Sequence, residues 1–198
     1  MSRGNAKGGS FERLICRQLS LWWTNGERDD VFWRNRVKVT SKTPNAERQL
    51  GDISALHTIG LSFIETINVE MKCGYGKKKG KAAPSWGVLG LIDSNQEEHL
   101  LQKFWNQCIT DANLSNRIPW LIFKRDFREP VICIRKRDLL RLFCGFDSYA
   151  VIEIYLSELY DGIGEVEIRK ICLLNLGQFL EAVDPESVRN HHKLINKK

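Results

Sequence analysis

The chain has 198 residues, 42% of them hydrophobic and 27% charged, with a formal charge of +6; that is enough for one well-buried domain with an appended subdomain, not for two full ones. No run of about 18 apolar residues occurs, and the opening MSRGNAKGGS lacks the apolar core of a signal peptide, so a cytosolic protein without a membrane partner is expected. Six cysteines without a CxxC pair lie mostly in apolar runs and read as reduced buried thiols, and the four histidines do not stand at zinc-ligand spacing from them.

Residues 1–9 are Gly-rich and basic and read as a flexible N-terminus. Ser10 can cap a helix over 10–23, with Phe11, Leu14, Ile15 and Trp22 on one face and Glu12 in the first turn. After a loop at 24–30, residues 31–34 read as a short strand, and a polar stretch follows at 40–48. GDISAL (51–56) and FIETINVEMKC (63–73) predict two strands joined by a turn at 57–60, a hairpin. A glycine-lysine loop spans 74–87. The strongest helix signal covers 95–113, where Leu100, Leu101, Phe104, Trp105, Cys108 and Ile109 repeat at three- and four-residue spacing and Glu97 and Glu98 sit at the positive end of the helix dipole. PWLIF (119–123) and PVICI (130–134) are continuous apolar runs that suit central strands. A short helix to about 143, strands at 149–156 and 170–176, and a helix at 176–182 complete the chain. Helices separate some strands and a hairpin joins others, which predicts an α/β or α+β domain with a mixed sheet flanked by helices.

The chemistry is concentrated in NVEMKCGYG (68–76). On a strand, Val69, Met71 and Cys73 share one face while Asn68, Glu70 and Lys72 share the other. An exposed strand face alternates charges in this way without any function. Here, however, Asp52 lies on the predicted neighbouring strand, and cross-strand pairs approach to roughly 5 Å. Two carboxylates so placed suit Mg²⁺, which takes hard oxygen ligands and is held by one or two carboxylates together with substrate phosphate. Lys72 beside them fits a donor to a scissile phosphate, or a group that orients and helps deprotonate the attacking water. The cations follow the same logic. Lys77, Lys78, Lys79 and Lys81 form a cluster directly after this strand, and Arg117, Lys124, Arg125, Arg128, Arg135, Lys136, Arg137 and Arg141 make a second basic region, so a polyanionic partner is expected. Lys124 ends PWLIFK where a phosphate contact is expected, and Trp86 in the lysine loop suits stacking on an unpaired base. Ser10 reads as a cap and His57 as a turn residue rather than as catalytic groups.

Gly51-Asp52, then Glu70-Met71-Lys72, with Glu12 on a preceding helix in NAKGGSFERL, resembles the PD-(D/E)xK nuclease superfamily. Lys7, Gly8, Ser10 and Glu12 are similar to the opening of archaeal-type Holliday junction resolvases and related phage endonucleases. The resemblance covers about residues 5–135, and implies a restriction-endonuclease-like core over 10–135 with 136–198 as an extension packed on it. It implies Asp52 and Glu70 as metal-binding carboxylates, Met71 as a carbonyl ligand, Glu12 as an added acid at the metal and Lys72 as the catalytic lysine. The implied cofactor is Mg²⁺, with Mn²⁺ able to substitute. The implied partner is DNA, branched, contacted by Lys7, Lys77, Lys78, Lys79, Lys81 and Lys124. Resolvases cut two strands in a matched pair, so a homodimer is implied as well. Some members use a helix-borne glutamine, for which Gln102 and Gln107 are the candidates. Gly51 stands where many members have proline. The expected function is a metal-dependent DNA endonuclease; the alternatives are a nuclease acting on linear or single-stranded DNA in repair or defence, and a DNA-binding module without activity.

Overall fold

The computed structural model describes residues 3–35, 51–73, 99–143, 152–159 and 166–196. Helix α1 (Arg3–Trp23) buries Phe11, Ile15, Leu19 and Trp23, spaced four apart on one stripe. It starts at Arg3 rather than Ser10, so Ser10 is an interior helical residue and not the cap. Leu14, expected on the buried face, is 43% exposed.

The expected hairpin does not form. Strand β1 (Phe32–Arg34) pairs antiparallel with β2 (Ile53–Ala55), and these two make a small sheet of their own. A 3₁₀ turn (Thr58–Gly60) and helix α2 (Leu61–Thr66) then lead to β3 (Ile67–Cys73). Residues 63–66 carry β-formers yet are helical, because Phe63 is wholly buried among the rings of Trp22, Trp23, Phe32 and Trp120. That packing overrides local β preference.

Strand β3 belongs to the larger sheet and runs parallel to β4 (Ile118–Lys124), with helix α3 (Leu100–Ser115) on the crossover between them. Strand β5 (Val131–Arg135), helix α4 (Lys136–Leu142), β6 (Ile152–Leu159), β7 (Val166–Asn175), α5 (Leu176–Ala182) and α6 (Pro185–Ile195) follow. Among the described residues the sheet order is β3-β4-β5-β7-β6, with every pair except β3-β4 antiparallel. The mixed sheet flanked by helices is therefore the restriction-endonuclease-like architecture expected, and β6 and β7 enlarge that same sheet. Pro119 is tolerated in central β4 because the β5 ladder engages only Leu121, Ile122 and Phe123.

Helix α3 covers one face of the sheet, with Leu101, Phe104, Trp105, Cys108 and Ile109 packed on Leu121, Phe123, Cys133 and Leu173. Its N-cap is His99, which accepts from the Leu101 amide at 3.3 Å, and its C-cap is the left-handed Asn116. Helix α1 covers the other face, against Val69, Met71, Trp120, Ile122 and Ile132. The five described cysteines are free, and burial pushes Cys16 up to about 12 and Cys172 to about 11, so they remain thiols.

Candidate active site

The alternation read along β3 holds. Val69 and Met71 join the α1-side core, while Asn68, Glu70 and Lys72 face α3. Glu70 is 3% exposed and its Oε1 is paired with the Lys72 ammonium. Gln107, on α3, completes a closed triangle: its Nε2 donates to Glu70 Oε1 at 2.8 Å, and its Oε1 accepts from Lys72 Nζ at 2.9 Å. Phe104, one helical turn earlier, places its ring 5.5 Å below the same ammonium. Lys72 is thus held by an acid, an amide and an aromatic face at once.

Asp52 reaches this strand without pairing in its ladder. Its amide donates to the Val69 carbonyl at 2.8 Å and its Oδ2 accepts from the Met71 amide at 2.6 Å. These two bonds attach the end of the small sheet to the edge of β3 that faces away from β4. Gly51 makes the approach possible: its φ is +83°, and a Cβ there would lie 2.8 Å from Asn68 Oδ1 and 3.1 Å from the Val69 carbonyl.

Burial, and then the Glu70 charge, raise the Asp52 carboxyl from 3.8 to about 7. Burial raises Glu70 as well, and Lys72 opposes that rise. Glu12 contributes to both shifts in the same direction. Its own Oε2 is bound to Arg34 Nη1 at 2.9 Å, and Arg34 lies over Gly9, where a side chain would collide with the guanidinium. The first-helix acid is therefore beside the site but already has a cationic partner.

Among the described residues no cluster of three or more His, Cys, Asp or Glu side chains forms a metal cage. What the chain offers is smaller: a buried carboxylate, Glu70, and a half-buried one, Asp52, that repel each other, with Asp52 Oδ1 and Glu70 Oε2 making no hydrogen bond to any described residue. That set fits one Mg²⁺-type ion, which needs few protein oxygens.

Gln102 is not at the site. It bonds Asn106 and the backbone of Ser157, and so ties α3 to β6. Lys124 sits opposite Cys73 in the β3-β4 register, on the face away from Lys72. Lys7 lies on α1, with its side chain outside the described residues; Lys77, Lys78, Lys79, Lys81, Trp86, Glu97 and Glu98 also lie outside them. His57 meets Arg28 and Asp30 on an exposed loop, as a turn residue would.

Residues 3–190 match a family described as "Phage putative PDDEXK endonuclease". The chain belongs to this family. No match was found among curated proteins or solved structures. The family match of this PDDEXK chain runs well beyond residue 135 and takes in β6, β7 and α5. Proline is excluded at position 51 of this PDDEXK chain, because the φ of +83° there is a backbone angle that proline cannot adopt. No helix among the described residues is long and apolar enough to cross a membrane.

Proposed function

We propose that this chain is a divalent-metal-dependent DNA endonuclease whose working groups are Asp52, Glu70, Lys72 and Gln107. The observation that carries this reading is the joining of Glu70, Lys72 and Gln107 at 2.8–2.9 Å directly beside an Asp52 carboxylate that is locked to the Met71 amide. Asp52 Oδ1, Glu70 Oε2 and the Met71 carbonyl would hold Mg²⁺, with Mn²⁺ able to substitute, and Glu12 adds negative potential behind them. The ion supplies charge neutralisation at the reacting phosphate. Lys72 orients the attacking water and donates to a phosphate oxygen, and Gln107 keeps the ammonium from swinging away. Water oxygen bonds to phosphorus, the bond to the 3′-oxygen breaks, and that oxygen takes up a proton, leaving a 5′-phosphate and a 3′-hydroxyl.

The junction-resolvase likeness of Lys7, Gly8, Ser10 and Glu12 favours branched DNA cut by a symmetric dimer. End-labelled four-way junction, linear duplex and single-stranded DNA, each with Mg²⁺, Mn²⁺ or chelator, test the reading beside Lys72→Ala and Glu70→Gln. Metal-dependent cleavage lost in both variants supports it, and paired nicks confined to the junction support the resolvase form. Cleavage retained in both variants would overturn the site.

A further inference from the structure

At the far end of β3 and β4 from Lys72 there is a cavity of about 610 Å³ whose lining includes Arg117, Arg135, Arg137, Arg141 and His191, against one acid, Asp138, among the described residues. Two of these arginines are already neutralised. Arg135 is gripped by Glu158 through Nε at 2.8 Å and Nη2 at 2.6 Å, and Arg137 Nε lies 3.3 Å from Asp138. The other cations are not. The side chains of Arg117, Arg141 and His191 make no hydrogen bond and no ion pair with any described residue. Arg117 is half-buried, and the acid that acts on it, Glu65, is 3.3 Å from His192 instead. Burial, and then the charge of Arg141, hold His191 below its ordinary value, with Asp138 opposing them. Arginines that serve only solubility stand on convex surface in water. These share a concavity with the half-buried imidazole.

We infer that this cavity is a second anion site that takes a phosphate group, supplied by the DNA strand on which the active site works. The inference rests on the endonuclease reading for the identity of that strand. Ile118 lines the cavity and pairs with Ile67, three residues before Glu70 on β3, a separation of roughly 10 Å at about 3.3 Å per residue. A DNA strand advances about 3.4 Å per nucleotide along its axis, so about three nucleotides span the two places. Guanidinium forks match phosphate oxygens in geometry as well as charge, and the imidazole ring of His191 adds an N–H donor.

The test is DNA binding by fluorescence anisotropy in chelator, over a salt series, for the wild type, Arg117→Gln/Arg141→Gln and Arg141→Gln alone. Arg141 is exposed and unpaired, so its single substitution leaves folding intact, which a thermal melt verifies. We expect affinity to fall about fivefold to tenfold in the double variant and the salt slope to fall by about one to two, near 0.9 for each phosphate released. A parallel titration with inorganic phosphate and with a 5′-mononucleotide, followed by the His191 ring resonances, separates the sources. Unchanged DNA affinity with small-anion binding lost in the variant keeps the phosphate site and replaces DNA with a small phosphate. Unchanged DNA affinity and no small-anion binding to the wild type overturn the inference. A wild type that neither binds nor cuts DNA defeats the endonuclease reading instead, while the small-anion titration still judges the cavity.

Discussion

Replacing Asp52 by asparagine separates what this residue does for the reaction from what it costs the fold. The carboxyl is held at about 7 against an ordinary 3.8, so keeping it ionised in the folded protein costs about 4 kcal/mol. The amide oxygen of D52N still accepts from the Met71 amide, but a buried amide carries its own cost of about 1–3 kcal/mol. The net gain expected in chelator at pH 8 is about 2 kcal/mol. The sign follows from proton uptake. Below about pH 4 both folded and unfolded chains hold the proton, so only the amide cost remains and D52N is about 2 kcal/mol less stable than wild type; from about pH 4 to 7 the unfolded chain releases it first, so the wild type loses stability with rising pH and D52N does not. Urea unfolding in chelator at pH 4, 6 and 8 measures this, with Mg²⁺ added in a second series. The metal should raise wild-type stability and leave D52N almost unchanged. A D52N protein less stable than wild type at pH 8, or a gain independent of pH, would refute the argument that Asp52 is a strained carboxylate awaiting a cation.

Gln107→Ala removes the bonds that hold both Glu70 and Lys72; single-turnover cleavage should slow about 10- to 100-fold with a thermal melt little changed. Gly51→Pro forces a negative φ where the chain has +83°; the urea midpoint should fall by an amount equivalent to about 1–3 kcal/mol. Glu158→Ala leaves Arg135 buried without its carboxylate and frees the Trp105 Nε1 donor held at 3.1 Å; equilibrium unfolding should register a loss of about 3–5 kcal/mol.

The parts legible in sequence are those governed by a single local period. The α3 stripe, the two apolar runs of β4 and β5 and the alternation on β3 all follow from which residues face water. The hairpin reading failed because two short apolar runs cannot reveal which sheet each joins. Ile53–Ala55 found a partner in Phe32–Arg34, and the neighbouring β-formers around Phe63 were absorbed into an aromatic cluster as a helix. Asp52 still arrives beside Glu70, through two hydrogen bonds rather than a ladder. Gln107 was one of two candidates, and what separates it from Gln102 is its place: Phe104, Gln107 and Asp111 step along the α3 face that overlies Glu70. Helix α6 was missed although Asp184-Pro185 announces it, with the Asp184 carboxylate accepting from the Glu186 amide at 2.8 Å and proline in the first turn. Sequence reasoning had no route to the Arg135–Glu158 pair, whose partners come from β5 and β6.

The bond from the Met71 amide to Asp52 makes one backbone proton a gauge of whether the site is assembled. The strand that follows the aspartate is three residues long and anchored in the core by Ile53, so the opening of least cost here is detachment of Asp52 itself through loss of its two hydrogen bonds to β3. Detachment would leave Glu70, Lys72 and Gln107 in place and remove only the aspartate. The exchange rate of the Met71 amide with solvent deuterium therefore reports that local opening separately from global unfolding, and ion binding should slow it before any other amide of β3 responds.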